Sequence, residues 1–180
     1  MKTLIINGSP RKKGDTVALL DELKKHLNGE IIEIFAYKNN ISPCIDCRYC
    51  WKEGICAIQD DMQIIYNDDY DNIVIASPIY MSGLTGPLIS LASRLQVYYA
   101  SKRFLKKEIK VSPKKGLLIL VGGGSGEPDY AIKVAKWMFK QLGATYNKEF
   151  LILSLNTDNI SASQDKEAMK KIREVATKLN

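Results

Sequence analysis

The chain has 180 residues, of which 46% are hydrophobic and 26% charged, with a net charge of +6 and a pI near 9.0. That length suits one domain spanning 1–180 with a full core, and no apolar run approaches the ~20 residues that cross a bilayer. Met1-Lys2 runs straight into a strand pattern without the apolar segment of a secretory signal, so a cytoplasmic chain with reduced thiols is expected; the positive balance favours anionic ligands and argues for neither nucleic acid nor membrane.

Strand and helix patterns alternate from end to end. Leu4 to Asn7 is the first apolar run, and Thr16 to Asn28 repeats Val17, Leu20, Leu23 and Leu27 at helical spacing before Asn28-Gly29. Glu30 to Phe35 alternates as a second strand, and Asp60-Asp61 opens a helix to about Tyr66. Asn72 to Ser77 is continuously apolar enough for a strand buried on both faces, and a helix from about Leu84 to Tyr99 follows. Gly116 to Val121 is the fourth strand, Pro128 to Leu142 a helix, Glu149 to Leu155 the fifth strand, and Ser163 to Leu179 a last helix capped by Ser163. Five strands interleaved with helices imply a parallel, doubly wound α/β sheet. The basic stretch from Lys102 to Lys115 reads either as a solvated loop or as a patch for a dinucleotide or an acidic redox partner.

Ligands of such sheets sit outside the carboxyl ends of the strands, where winding reverses. The loop after the first strand, Gly8 to Thr16, offers the hydroxyls of Ser9 and Thr16, the guanidinium of Arg11 and a helix N-terminus, all suited to a phosphate. It is neither a Walker A loop nor a dinucleotide fingerprint. The loop after the third strand, Ser77-Pro78-Ile79-Tyr80-Met81-Ser82-Gly83, presents flat and polarizable apolar surface. The loop after the fourth, Gly122-Gly123-Gly124-Ser125-Gly126, invites close backbone approach. Each loop alone has an ordinary reading as a turn, as packing or as a mobile segment. Together, on one edge, they fit a planar ring system joined to a single phosphate.

These segments, with Asn7-Gly8-Ser9-Pro10-Arg11, Ser77-Pro78-Ile79-Tyr80 and a cysteine segment ending in Asp60-Asp61-Met62, make the chain resemble the flavodoxin-like NAD(P)H-dependent FMN reductases, including the iron–sulfur flavoproteins. The resemblance implies a flavodoxin-like three-layer α/β sandwich with a five-stranded sheet and a cysteine-rich loop, 41–59, inserted after the second strand. It implies FMN, with the phosphate on Ser9, Arg11, Lys13, Asp15 and Thr16. The ring would lie against Pro78, Ile79, Tyr80, Met81 and Ser82 and against Gly122, Gly123, Gly124 and Ser125. NAD(P)H would be the electron donor, the acceptor a small redox substrate, and the assembly a homodimer or homotetramer. One departure is Asp15, where relatives often carry Asn; a carboxylate beside a phosphate repels it unless it turns away or caps the helix.

All four cysteines fall in one segment, Cys44, Cys47, Cys50 and Cys56, spaced C-x2-C-x2-C-x5-C. Such compactness suits a [4Fe–4S] cluster; zinc more often uses two separated pairs. The spacing resembles that of iron–sulfur flavoproteins, which implies a carrier fed by a ferredoxin-like donor, while similar cysteine loops before Asp-Asp-Met occur in flavin reductases that carry no cluster, so both readings stand. A non-catalytic phosphate-ligand module with a zinc-bound loop is the third.

Overall fold

The structure is a computed structural model describing every residue except Asp68 and Ser125. Its sheet is built from β1 (Lys2–Asn7), β2 (Glu30–Phe35), β3 (Asn72–Pro78), β4 (Lys114–Val121), β5 (Ala144–Thr145) and β6 (Leu151–Ser154). All pairings are parallel, in the order β2-β1-β3-β4-β5, with β6 also on β4. This is the 2-1-3-4-5 order of flavodoxin-like sheets, which reverses winding between β1 and β3.

The helices are α1 (Asp15–His26), α2 (Cys50–Glu53), α3 (Met62–Tyr66), α4 (Gly86–Arg94), α5 (Gln96–Phe104), α6 (Asp129–Gln141) and α7 (Lys166–Leu179). Successive strand residues face opposite sides, so the sheet feeds two cores. Leu4, Ile6, Ile73, Ile75, Leu118 and Leu120 pack against α3, α4 and α6. Ile5, Val74, Leu117, Ile119 and Ile152 pack against α1 and α7. The result is the three-layer α/β sandwich. Among the described residues no helix is long and apolar enough to cross a membrane.

Three expectations need correction. The helix expected over 84–99 is two helices, because the Leu95 N–H bonds Ala92 O at 3.0 Å and tightens the last turn of α4. The strand expected over 149–155 is β6, shortened at its start because Lys148–Phe150 form a 3-10 turn that Asn147 caps, and a further two-residue strand, β5, pairs with the same edge of β4 ahead of it. The last helix is capped by Asp165, whose carboxylate accepts from Ala168 N at 3.0 Å, and not by Ser163.

Candidate functional site

A cavity of about 200 Å³ opens at the carboxyl edge of β1, β3 and β4. Its floor is the loop after β1, whose form is set by buried polar groups. Asn7 Nδ2 donates to Glu33 Oε1 at 2.8 Å, which leaves Asn7 Oδ1 to accept the Ser9 N–H at 2.8 Å. Ser9 Oγ then accepts the Arg11 N–H at 3.2 Å. Thr85 Oγ1 donates to Gly8 O at 3.0 Å and ties the loop to the start of α4. A Cβ at Gly8 would collide with Leu88, so only glycine lets the loop lie against that helix.

The loop delivers the chain to α1, whose first turn has no side-chain cap. Unclaimed N–H groups and the positive helix end therefore face the cavity, as an anion requires. Asp15 does not oppose this: its Oδ1 accepts the Ala162 N–H at 2.8 Å, tying the carboxylate to the segment before α7.

Of the residues singled out in the sequence, Ser9, Arg11, Asp15, Thr16, Pro78, Ile79, Tyr80, Gly122 and Gly123 line this one cavity. Lys13, Met81, Ser82 and Gly124 do not, and Ser125 lies outside the described residues. Met81 and Ser82 occupy the tip of a hairpin closed by Tyr80 N–H to Gly83 O at 3.0 Å and Gly83 N–H to Tyr80 O at 2.9 Å. Both have positive φ, 50° and 60°, as a type I′ turn demands, and Met81 is 100% exposed.

Thr157 and Asp158 also line the cavity, and sequence reasoning missed them. Their N–H groups bond Gly122 O at 3.0 Å and Gly123 O at 3.2 Å, and the Asp158 carboxylate oxygens sit 2.5 Å from where a Gly123 Cβ would be. Their signal was position: they follow the last strand at the same edge as the other three loops.

The cysteine segment forms a second site that shares no lining residue with the first. Cys44, Cys47, Cys50 and Cys56 line one cavity of about 180 Å³ against α4 and α5. Burial pushes the Cys50 thiol up, and the nearby Cys44, Cys56 and Cys47 push it further. Trp51 stacks on Phe104 with ring centroids 3.9 Å apart, and the Arg48 guanidinium lies over the Trp51 ring, 4.9 Å from its centroid. The loop is thus packed on α5.

Beneath it runs a buried ion pair. Arg94 Nη1 lies 2.7 Å from Asp60 Oδ2, with their side chains 0% and 3% exposed. Burial opposes charge on Asp60, but Arg94 and the Ser42 and Met62 N–H groups outweigh it and hold the carboxyl below its usual range. Among the described residues no three Cys, His, Asp or Glu side chains are gathered to hold one metal ion. The thiolates of a cubane each serve their own iron, and four thiols around one cavity fit that group.

The match to known proteins follows the same outline. An iron–sulfur flavoprotein of Methanosarcina thermophila is 28% identical, over 99% of this chain and 93% of that protein. An iron–sulfur flavoprotein of Methanocaldococcus jannaschii is 36% identical over 52% of this chain, and the match spans about half, 51%, of that relative's length. The fold is shared by a solved FMN-dependent NADH-azoreductase of Bacillus anthracis in complex with FMN, at 17% identity and a TM-score of 0.71 over 99% of each chain. Residues 1–158 match the family model of NADPH-dependent FMN reductases. With that match over most of its length, and with the sheet order and loop arrangement described above, this chain belongs to the NADPH-dependent FMN reductase family.

Proposed function

We propose that residues 1–180 form one FMN-binding unit that moves electrons from NAD(P)H to a small acceptor. The observation that carries this reading is the convergence of three strand-end loops on a cavity at the uncapped N-terminus of α1. The α1 N–H groups, Ser9, Thr16 and Arg11 hold the phosphate. The apolar rim of Pro78, Ile79 and Tyr80 orients the ring, and the backbone at Gly122 and Gly123 lets it approach closely. FMN, when bound, supplies the hydride and electron chemistry; the chain supplies position, electrostatics and exclusion of water. The fully exposed Met81, next to the half-exposed Tyr80 on a hairpin whose Gly83 meets the exposed Tyr130, is covered by a second copy in a homodimer or homotetramer.

Protein loaded with FMN and desalted should keep about one flavin per chain, and its visible flavin band should bleach under argon on adding NADPH or NADH. Protein left colourless removes the FMN site. Flavin-loaded protein that neither nucleotide reduces removes NAD(P)H as donor.

A second reading is favoured by the shared thiol cavity: an iron–sulfur flavoprotein carrier, with Cys44, Cys47, Cys50 and Cys56 holding a [4Fe–4S] cluster and a ferredoxin-like protein feeding it. Iron and sulfide analysis of anaerobically purified protein separates the two readings.

A further inference from the structure

We propose that Arg94 is the positioning residue of the cysteine loop and that its Nε–H is reserved for a sulfur in the thiol-lined cavity. This assignment rests on the cluster reading. A guanidinium has five N–H donors in a rigid fork. Four are engaged: Nη1 donates to Ser42 O at 2.9 Å and to Asp60 Oδ2 at 2.7 Å, and Nη2 donates to Ile58 O at 3.0 Å and to Asp60 Oδ1 at 3.3 Å. Ser42 and Ile58 flank the cysteine segment, so one buried fork ties both ends of the loop to α4. Ser93 Oγ, one residue earlier, accepts the Cys44 N–H at 2.9 Å.

The fifth donor, Nε, is buried and makes no hydrogen bond of good geometry, while the guanidinium lies within electrostatic reach of the Cys56 thiol. Leaving a buried donor unmade is costly, and native structures rarely do so without a reason. Arg94 lines the same cavity as all four thiols. A sulfur anion there would complete the fork, with a charge-assisted bond to a group whose ionised form the guanidinium favours. Arg48 and Arg103 also line the cavity; Arg48 lies 3.6 Å from Asp46, the one carboxylate among the lining residues. Hydrogen bonds to the sulfurs are among the main determinants of a cluster's potential. An N–H donor stabilises the more negative, reduced state.

The test compares Arg94→Lys with the unaltered protein, both reconstituted anaerobically with iron, sulfide and FMN. Lysine keeps the charge opposite Asp60 and removes the Nε–H. The expected result is unchanged FMN content, full iron, and a cluster potential lowered by about 59 mV, a tenfold shift of a one-electron equilibrium. An unchanged potential with full iron overturns the assignment. Should the variant lose its iron, the unaltered protein decides. Grown on arginine labelled with nitrogen-15 in the guanidinium, its reduced cluster should show coupling to that nucleus in pulsed electron paramagnetic resonance. The coupling should persist when Arg48 and Arg103 are both lysine; its absence overturns the assignment. Unaltered protein that takes up no iron is a different failure, which removes the cluster reading itself and the sulfur role of Arg94 with it.

Discussion

At the scale of single residues, the cavity floor is a chain of short polar contacts that ends in Arg11. Its backbone is held by Ser9 while its side chain is exposed at the rim, placed to close on an anion. Arg11→Ala should weaken FMN by about 1.5–3 kcal/mol, the worth of a charge-assisted bond, or roughly ten- to 150-fold in Kd. A flavin-fluorescence titration measures this, and an unchanged Kd would move the phosphate elsewhere. Ser9 and Thr16 were legible from the sequence because they flank a short strand-to-helix loop at the carboxyl edge of the sheet. The direction of Asp15 was not, because its partner, Ala162, lies 147 positions away.

At the scale of elements, α4 connects the two sites. Its first turn meets the loop after β1 through Thr85 and Leu88, and its last turn carries Ser93 and Arg94 beneath the cysteine loop. Its nine residues span about 13 Å. Gly8→Ala would push a methyl into Leu88 and displace this helix. Overpacking of that kind costs about 1–3 kcal/mol. The expected outcome is a lower unfolding midpoint together with weaker FMN binding, read by denaturant titration and flavin titration of the same variant; a wild-type midpoint would show that α4 yields freely. Apolar spacing ran unbroken through Leu95, so the sequence read α4 and α5 as one helix. The break comes from the tightened turn there, which periodicity does not record.

At the scale of the whole molecule, Glu22 of α1 joins the first helix to the last. Its Oε1 lies 2.6 Å from Arg173 Nη1 of α7 and its Oε2 lies 3.2 Å from Lys25 Nζ. The Arg173 hydrogen bond first, and that of Lys25 next, hold the Glu22 carboxyl down from 4.5 to about 2. A folded-state pKa below the unfolded one stabilises at higher pH, so this contribution is complete above about pH 5 and is lost as pH falls toward 2. Glu22→Gln should cost about 1 kcal/mol at neutral pH, since Arg173 and Lys25 are half-exposed or more, and nothing near pH 2. Thermal unfolding across that range checks it, and a penalty that persists unchanged at low pH would mean packing rather than charge.

Local pattern alone decides the layered architecture of this protein. Buried strands, amphipathic helices and strand-end loops repeat with short periods, and each period states which face is wet and which is dry. The cysteine spacing is equally local, because all four thiols lie within one short segment. Tertiary structure decides which loop residues share a cavity, that Thr157 and Asp158 line it while Met81 and Ser82 form the tip of the neighbouring hairpin, and which guanidinium lies beneath the thiols. Those outcomes depend on strand order and helix docking, which bring together hydrogen-bonding groups from distant parts of the chain. A hydrogen bond between such groups leaves no periodic trace in the residues that make it.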